Sequence, residues 1–392
     1  MSSRIIDVRL NNKSANGEAN IRDEVVRGLS QSVNRKTLPT LLLYDEEGPE
    51  YYLFAAEENI LKNHASDIVN VMRGSHNTEG HRSESVESII LELGAGALRK
   101  TSRILSALTK IVPEQMSSAP VTYYALDLEK RELERSLDQL AASSVGPEMQ
   151  GKIDARALWG TYESGLKFVE EGGLRGREAA DAAVAAIRAR SLSSDSSVTQ
   201  PSSPSSSEQD LVETPLSTPD LATLETPLHI LFLGSSLGNF TRGEDLAFLR
   251  SLPLRVGKGD TLLLGLDHGT DGARIESAYN DRAGITRRFI LNGLKGAGRA
   301  LGNESLFAPE NWEYVGRYNV QERRHEAFYR SRVAQTVRVP ETKLEFAFLA
   351  DELVNIEMSH KYTERETYHL FTEANLRPLR CWRDGDSGYS LW

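Results

Sequence analysis

Cysteine is almost absent from this chain, because Cys381 is the single one among 392 residues. A disulfide framework and a cysteine-based zinc site are therefore excluded, and the histidines form no set with metal-ligand spacing, so we expect no metal. Positive charge is also scarce, since the formal net charge is −10. We expect no nucleic-acid partner and no docking on anionic membranes, because phosphate groups require clustered lysine and arginine.

Long apolar runs are missing as well. The N-terminus, "MSSRIIDVRLNNKS", has no apolar core of signal-peptide length, and no segment approaches the roughly 20 apolar residues of a membrane helix. We therefore expect a cytoplasmic protein. The apolar fraction of 39% over 392 residues is enough for one large domain or two modest ones, each with a core.

Strands alternate with helices in the middle of the chain. "VESIILELG", "VTYYALDL", "LHILFLGSSLGN" and "GDTLLLGLDHG" are apolar or β-branched runs that stop at glycine or aspartate, which is typical of buried strands. Helical patterns follow the first two. This alternation predicts a mainly parallel, doubly wound α/β sheet over residues 86–190 and 228–285.

The remaining segments have other patterns. Residues 1–85 are predicted to be mostly helical. Residues 286–392 indicate antiparallel strands and one helix, whose start is marked by Thr363 and Glu366 in a capping box. Residues 191–227 are rich in Ser, Thr and Pro and cannot bury enough apolar surface to offset their ordering entropy, so we expect a disordered insertion.

A glycine loop closes the first predicted strand in "ELGAGALRKT". A dinucleotide fingerprint needs a third glycine after Gly94 and Gly96, but Arg99 takes that place. Asp127 follows at the end of the next strand, where its carboxylate could accept the hydroxyls of a ribose. Two glycines and this acid favour S-adenosylmethionine (SAM). A tight turn beside a solvated aspartate is the alternative that the residues alone leave open.

Asn239 follows the predicted strand "LHILFLG", in the turn "LGSSLGNF". Ligands of doubly wound sheets bind beyond the carboxyl ends of the strands, which places Asn239 near a methyl acceptor. Methyl transfer needs a well-aimed amine lone pair more than a strong base, and an amide oxygen can orient an amine. The alternative is a simple turn residue after Gly238.

Seven segments occur together in one order along the chain: "TLPTLLLYDEEG", "ELGAGALRKT", "YYALDL", "LGSSLGNF", "AYNDRAGITRRFILNGL", "RRHEAFY" and "IEMSHKY". In this the chain resembles the SAM-dependent histidine N-methyltransferases of ergothioneine biosynthesis. It is also similar to their fungal relatives that methylate tryptophan derivatives in ergot alkaloid pathways. The resemblance implies a class I SAM-methyltransferase fold, a Rossmann-like doubly wound sheet with a mixed α+β substrate-binding subdomain.

The same resemblance implies which residues hold the cofactor. Gly94, Gly96 and Lys100 correspond to the SAM loop, and Asp127 corresponds to the ribose ligand. Tyr162 falls where an aromatic ring lies beside the adenine.

The resemblance also implies a catalytic pair and a substrate pocket. Tyr44 corresponds to a tyrosine near the reacting centre, and Asn239 to the residue that positions the substrate α-amine. The implied substrate-binding residues are Tyr51 in the pocket wall, Tyr279 at the carboxylate, and Glu357 with Ser359 at the imidazole. A carboxylate and a hydroxyl two positions apart on a strand share one face and can bind a ring nitrogen. On any sheet the same pair can also be an ordinary exposed one.

These features predict an N-methyltransferase of the α-amino group of an amino acid, with histidine first because the ergot-type relatives lack the glutamate. The alternative acceptor is a tryptophan- or tyrosine-derived amine of fungal secondary metabolism. A second alternative is a SAM-binding protein with impaired catalysis. It is motivated by a departure from the family, since only Pro49 and Glu50 separate "LLYDEEG" from Tyr51, where the relatives have a longer connection.

Overall fold

The computed structural model describes residues 4–9, 16–43, 54–74, 87–96, 98, 100–114, 119–175, 183–185 and 226–392. Tyr44 and Tyr51 lie outside these residues, so the roles expected of them stay predictions. All but the last two residues of the Ser/Pro-rich segment 191–227 also lie outside them.

A parallel sheet forms the centre of the fold, and it confirms the predicted doubly wound α/β architecture. Its parallel strands are β1 (Ile5–Asp7), β2 (Ser88–Leu93), β3 (Val121–Asp127), β4 (Ile153–Trp159), β5 (Leu228–Phe232) and β6 (Thr261–Asp267). Their order across the sheet is β1-β4-β3-β2-β5-β6. The first strand was not predicted, because three residues are too few for a periodic signal.

Antiparallel strands follow in the second half of the chain, as predicted. They are β7 (Trp312–Asn319), β8 (Arg324–Ser331), β9 (Gln335–Arg338), β10 (Glu345–Phe348) and β11 (Leu353–His360). β8 lies between β7 and β11, and β9 pairs with β10. The pairing of β11 with β8 shifts register between Asn355 and Glu357, an irregularity of the kind that re-aims side chains.

The chain returns to the large sheet at its end. Two short strands, β12 (Trp382–Arg383) and β13 (Tyr389–Leu391), complete the order as β6-β13-β12. β13 runs antiparallel to β6 and separates it from the edge. The C-terminal residues therefore belong to the sheet that carries the glycine loop.

Helices cover the sheet and connect it to the antiparallel strands. They are α1 (Asn16–Leu29), α2 (Phe54–Met72), α3 (Thr101–Thr109), α4 (Lys130–Ala142), α5 (Val145–Met149), α6 (Tyr162–Glu170), α7 (Glu244–Ser251), α8 (Gly272–Tyr279), α9 (Ile285–Ala300) and α10 (Glu364–Glu373). The capping box of α10 is present, because Thr363 and Glu366 each accept the other's backbone N–H. Among the described helices, none combines the length and the apolar character needed to cross a bilayer.

The core has three parts. Ile89 and Leu91 of β2 point into one and Ile90 into another, so alternate residues place two apolar layers on opposite faces of the sheet. The third part lies between the antiparallel strands and α9. The N-terminal segment divides between these layers, since Ile60 of α2 packs with the large sheet and Val25 of α1 with the antiparallel strands.

Candidate active site

The glycine loop leaves β2 in a conformation that favours glycine. Gly94 has φ +71° and Gly96 has φ +52°, both in the left-handed region. A Cβ placed on Gly94 would lie 2.6 Å from the Tyr162 hydroxyl, whereas one on Gly96 would meet none of the described residues within 4 Å. The described residues therefore leave space at the Gly96 backbone, where a ligand can approach.

Asp127 is the last residue of β3, and it holds this loop. Its Oδ2 accepts the N–H of Gly96 at 3.0 Å, and its Oδ1 accepts the N–H of Leu128 at 2.7 Å. Burial raises the pKa of the carboxyl, and these backbone hydrogen bonds oppose that rise. The structure thus brings together the loop and the acid that the sequence placed 31 residues apart.

Glu92 lies beneath the same loop, and sequence reasoning missed it. Its carboxylate accepts from Thr101 Oγ1 at 2.7 and 2.6 Å and from the Tyr123 hydroxyl. Burial raises its pKa to about 7, although the two hydroxyls oppose this. The available signal was an acid inside the fully buried strand "SIILEL", a position that requires donors from the protein.

Lys100, directly before α3, forms an ion pair with Glu57 of α2. Glu57 has 0% exposure and also accepts the Gly234 N–H at 2.9 Å and the Tyr389 hydroxyl at 2.7 Å. Its carboxylate therefore contacts residues from the glycine loop, the end of β5 and the last strand. This second missed residue had no local signal, because its partners lie far away in the sequence.

Asn239 ends a short 3-10 turn, Ser236–Asn239, directly after β5. A Cβ on Gly238 would lie 2.7 Å from the backbone oxygen of His360. The glycine therefore allows the end of β11 to pack against the turn that carries Asn239. This contact brings the antiparallel strands to the carboxyl edge of the large sheet.

Lys361 connects the two halves of the site. Its Nζ lies 2.8 Å from Asp267 Oδ2, 3.0 Å from the Tyr279 hydroxyl and 3.1 Å from Ser359 Oγ. Burial lowers the pKa of the ammonium, but Tyr279 and Asp267 outweigh that effect and leave it raised. Sequence reasoning passed over Lys361, because a lysine is exposed by default. The only hint was its position two residues after Ser359 and four after Glu357.

Glu357 is the charged residue of this site that the protein leaves unpaired. Its carboxylate has no hydrogen bond or ion pair to the described residues, and it keeps partial exposure. Burial raises its pKa to about 7, which the charge of Lys361 opposes. Burial is the main cause that raises the pKa of Tyr279 and of Tyr314, and the charge of Glu357 adds to both shifts.

The model of one protein family, described as histidine-specific, SAM-dependent methyltransferase, matches residues 21–180 and 207–392. The chain belongs to this family. It is therefore a SAM-dependent methyltransferase, and the resemblance seen in the sequence is confirmed.

Three relatives show the range of this family. An L-tryptophan methyltransferase of Psilocybe serbica is 32% identical over 402 residues, which cover 99% of this chain and 96% of that protein. A histidine N-alpha-methyltransferase of Mycolicibacterium smegmatis is 27% identical over 383 residues, or 95% of this chain and 94% of that protein. Ergothioneine biosynthesis protein 1 of Neurospora crassa is 29% identical over 94% of this chain, which spans 34% of that longer protein.

His325 supports Tyr279 by ring stacking. Its ring stacks on Tyr279 with centroids 3.7 Å apart, and neither ring nitrogen has a hydrogen-bond partner in the described part of the chain. Burial lowers its pKa to about 3, so the ring is neutral and acts as a flat surface for the tyrosine. Within the same residues, no group of three or more His, Cys, Asp or Glu could hold a metal ion.

Proposed function

We propose that this methyltransferase acts on the α-amine of an amino acid whose side chain carries a ring N–H, with histidine as the first candidate. The unpaired carboxylate of Glu357 carries the proposal, because it has no hydrogen-bond or ion-pair partner among the described residues. The carboxylate is half-buried, and a bound ring N–H would supply the hydrogen bond that the described residues do not.

SAM supplies an electrophilic methyl group on a sulfonium. The loop fits such a ligand, because no described residue blocks the backbone at Gly96 and Asp127 Oδ2, which accepts a single backbone N–H, keeps a lone pair for a hydroxyl. We assign Gly94 and Gly96 to the backbone approach, Asp127 to the ribose, and Tyr162 to the adenine side. Lys100 holds the start of α3 through Glu57.

On the substrate side, the residues would orient the substrate amine, and no strong base is needed. The amide oxygen of Asn239 would accept one amine N–H and aim the lone pair along the line of displacement. Tyr279 would donate to the substrate carboxylate, and Glu357 with Ser359 would bind the ring. Tyr44 and Tyr51 lie outside the described residues. We propose for them the roles expected from the sequence, near the reacting centre and in the pocket wall.

A second candidate acceptor is tryptophan or an amine derived from it. The L-tryptophan methyltransferase relative, identical at 32% over nearly the whole chain, favours it. An indole N–H can donate to Glu357 as an imidazole N–H can.

The direct test incubates the enzyme with SAM and single amino acids, including histidine, tryptophan, tyrosine and phenylalanine, and follows methylation by mass spectrometry. We expect methylated histidine as the main product and no transfer to phenylalanine, which has no ring N–H. Absence of transfer to both histidine and tryptophan would refute the proposal. Calorimetric SAM binding without any turnover would instead identify a chain that has lost catalysis.

A further inference from the structure

The ammonium of Lys361 has as many acceptors as it has protons. Asp267, Tyr279 and Ser359 each lie 2.8 to 3.1 Å from Nζ. A lysine donates three hydrogen bonds and accepts none, so each of these contacts is a donation by Lys361. The side chain is 1% exposed, so water does not compete for these hydrogen bonds.

This arrangement fixes the direction of two hydroxyl groups. The Tyr279 and Ser359 oxygens accept from Lys361, and neither hydroxyl makes another hydrogen bond within the described residues. Both residues are buried. Their protons therefore lack an acceptor among the described residues, and a buried donor without an acceptor is costly.

We propose that Lys361 is a positioning residue that makes Tyr279 and Ser359 hydrogen-bond donors toward the substrate, and thereby selects a neutral imidazole over an indole. The inference rests on the proposed function, because it concerns the same substrate cleft. Lys361 acts through the two hydroxyls, and Asp267 at the end of β6 anchors its charge.

The selection follows from counting donors and acceptors on the substrate. Tyr279 as a donor matches a carboxylate, which every amino acid has. Ser359 as a donor matches the unprotonated nitrogen of a neutral imidazole, while Glu357 accepts the N–H of the same ring. An indole satisfies Glu357 but offers Ser359 no acceptor. One unmatched buried donor corresponds to about a tenfold to hundredfold preference for histidine.

Three variants test this: Ser359→Ala, Lys361→Met and the double variant. The kcat and KM are measured for histidine and for tryptophan, and the SAM dissociation constant is measured by calorimetry. Lys361→Met should raise the KM for histidine at least tenfold with SAM binding within twofold. The ratio of kcat/KM for histidine to that for tryptophan should fall about tenfold in each single variant. The double variant should lower it no further, since both changes remove one interaction.

Removal of Lys361 leaves the buried Asp267 carboxylate without its cation, with the Gly269 N–H as its remaining donor among the described residues. The pair Lys361→Met with Asp267→Asn therefore provides a second route if the single variant folds poorly. Lys36 is the matched control, because it is 6% exposed and pairs with the buried Glu352 at 2.6 Å. Lys36→Met should lower the melting temperature and leave the histidine-to-tryptophan ratio unchanged.

The outcomes distinguish a failure of the proposed function from a failure of the role proposed for Lys361. If the wild-type enzyme methylates neither amino acid, the proposed function fails and this inference fails with it. If it methylates either one but prefers tryptophan, or if the ratio is the same with and without Lys361, only the inference is overturned. Additive effects of the two substitutions on the ratio would likewise contradict it, because they would show that Lys361 acts independently of Ser359.

Discussion

Glu92 and Glu357 each have a pKa of about 7, and burial is the main cause for both. Their surroundings differ. Glu92 lies under the glycine loop and accepts from Thr101 and Tyr123. Glu357 lies on β11 and receives no hydrogen bond from the described residues. The first carboxylate has its donors from the protein, and the second has none among the described residues.

A shifted pKa alone therefore does not identify a functional acid, because structural networks shift pKa values as well. The number of donors around the carboxylate distinguishes the two cases. Glu92 accepts a hydrogen bond from Thr101, the first residue of α3, and so stabilises the end of the glycine loop. The Glu357 carboxylate makes no such contact with the described residues, and this difference is the reason that we propose it as an acceptor for the substrate.

The largest expected effect is on stability, from Glu92→Ala. The change leaves the hydroxyls of Thr101 and Tyr123 without their acceptor and opens a cavity, so we expect a loss of about 3 kcal/mol in the free energy of unfolding. Glu357→Ala removes no partner and should change it by less than about 1 kcal/mol. Urea unfolding at pH 5.5, where both carboxyls are mostly protonated in the folded enzyme, compares them. Equal losses in the two variants would show that Glu357 is structural too.

The next largest effect is on substrate affinity, from Glu357→Ala. Hydrogen bonds to a charged group contribute about 1.5–3 kcal/mol, so the KM for histidine should rise by about 10- to 100-fold. SAM affinity should not change, because Glu357 belongs to the substrate half. Glu345→Ala is the control, since this glutamate on β10 is exposed and its partner among the described residues is Arg338. An unchanged KM, or a parallel loss of SAM affinity, would place Glu357 outside the substrate pocket.

A smaller effect concerns the pH dependence of stability without substrate. The pKa of Glu357 is raised from 4.5 to about 7 in the folded enzyme, so the unfolded state loses this proton first as pH increases. The wild type should therefore lose stability relative to Glu357→Gln between pH 4.5 and 7, by about 1–2 kcal/mol, with no further change above that window. Urea unfolding of both proteins from pH 4.5 to 8 measures the difference. A constant difference over this range would mean that the carboxylate is not buried.

The sequence predicted what depends on local pattern. Apolar periodicity placed the strands of the doubly wound sheet, and the glycines with a strand-end acid marked the loop at Gly96 that Asp127 contacts. Chemistry that depends on long-range contact was not predictable in the same way. Glu57 and Lys100 are 43 positions apart, and Lys361 and Tyr279 are 82 apart. Only the fold brings such partners within hydrogen-bond distance, and no periodicity marks them.

The smallest effect tests how the support under the loop is shared. Thr101→Val keeps the shape of the side chain and removes one of the two hydroxyls that donate to Glu92, while Tyr123 keeps its hydrogen bond. We expect a loss of about 1 kcal/mol in the free energy of unfolding, the ordinary contribution of one hydrogen bond.

The Thr101 hydrogen bond lowers the pKa of Glu92, so the pKa of this carboxyl should rise in the Thr101→Val variant. Its stability should then fall over a pH window that extends further above pH 7 than in the wild type. An unchanged window would mean that Tyr123 alone satisfies Glu92. The contrast with Glu357 would then rest on a single donor rather than on two.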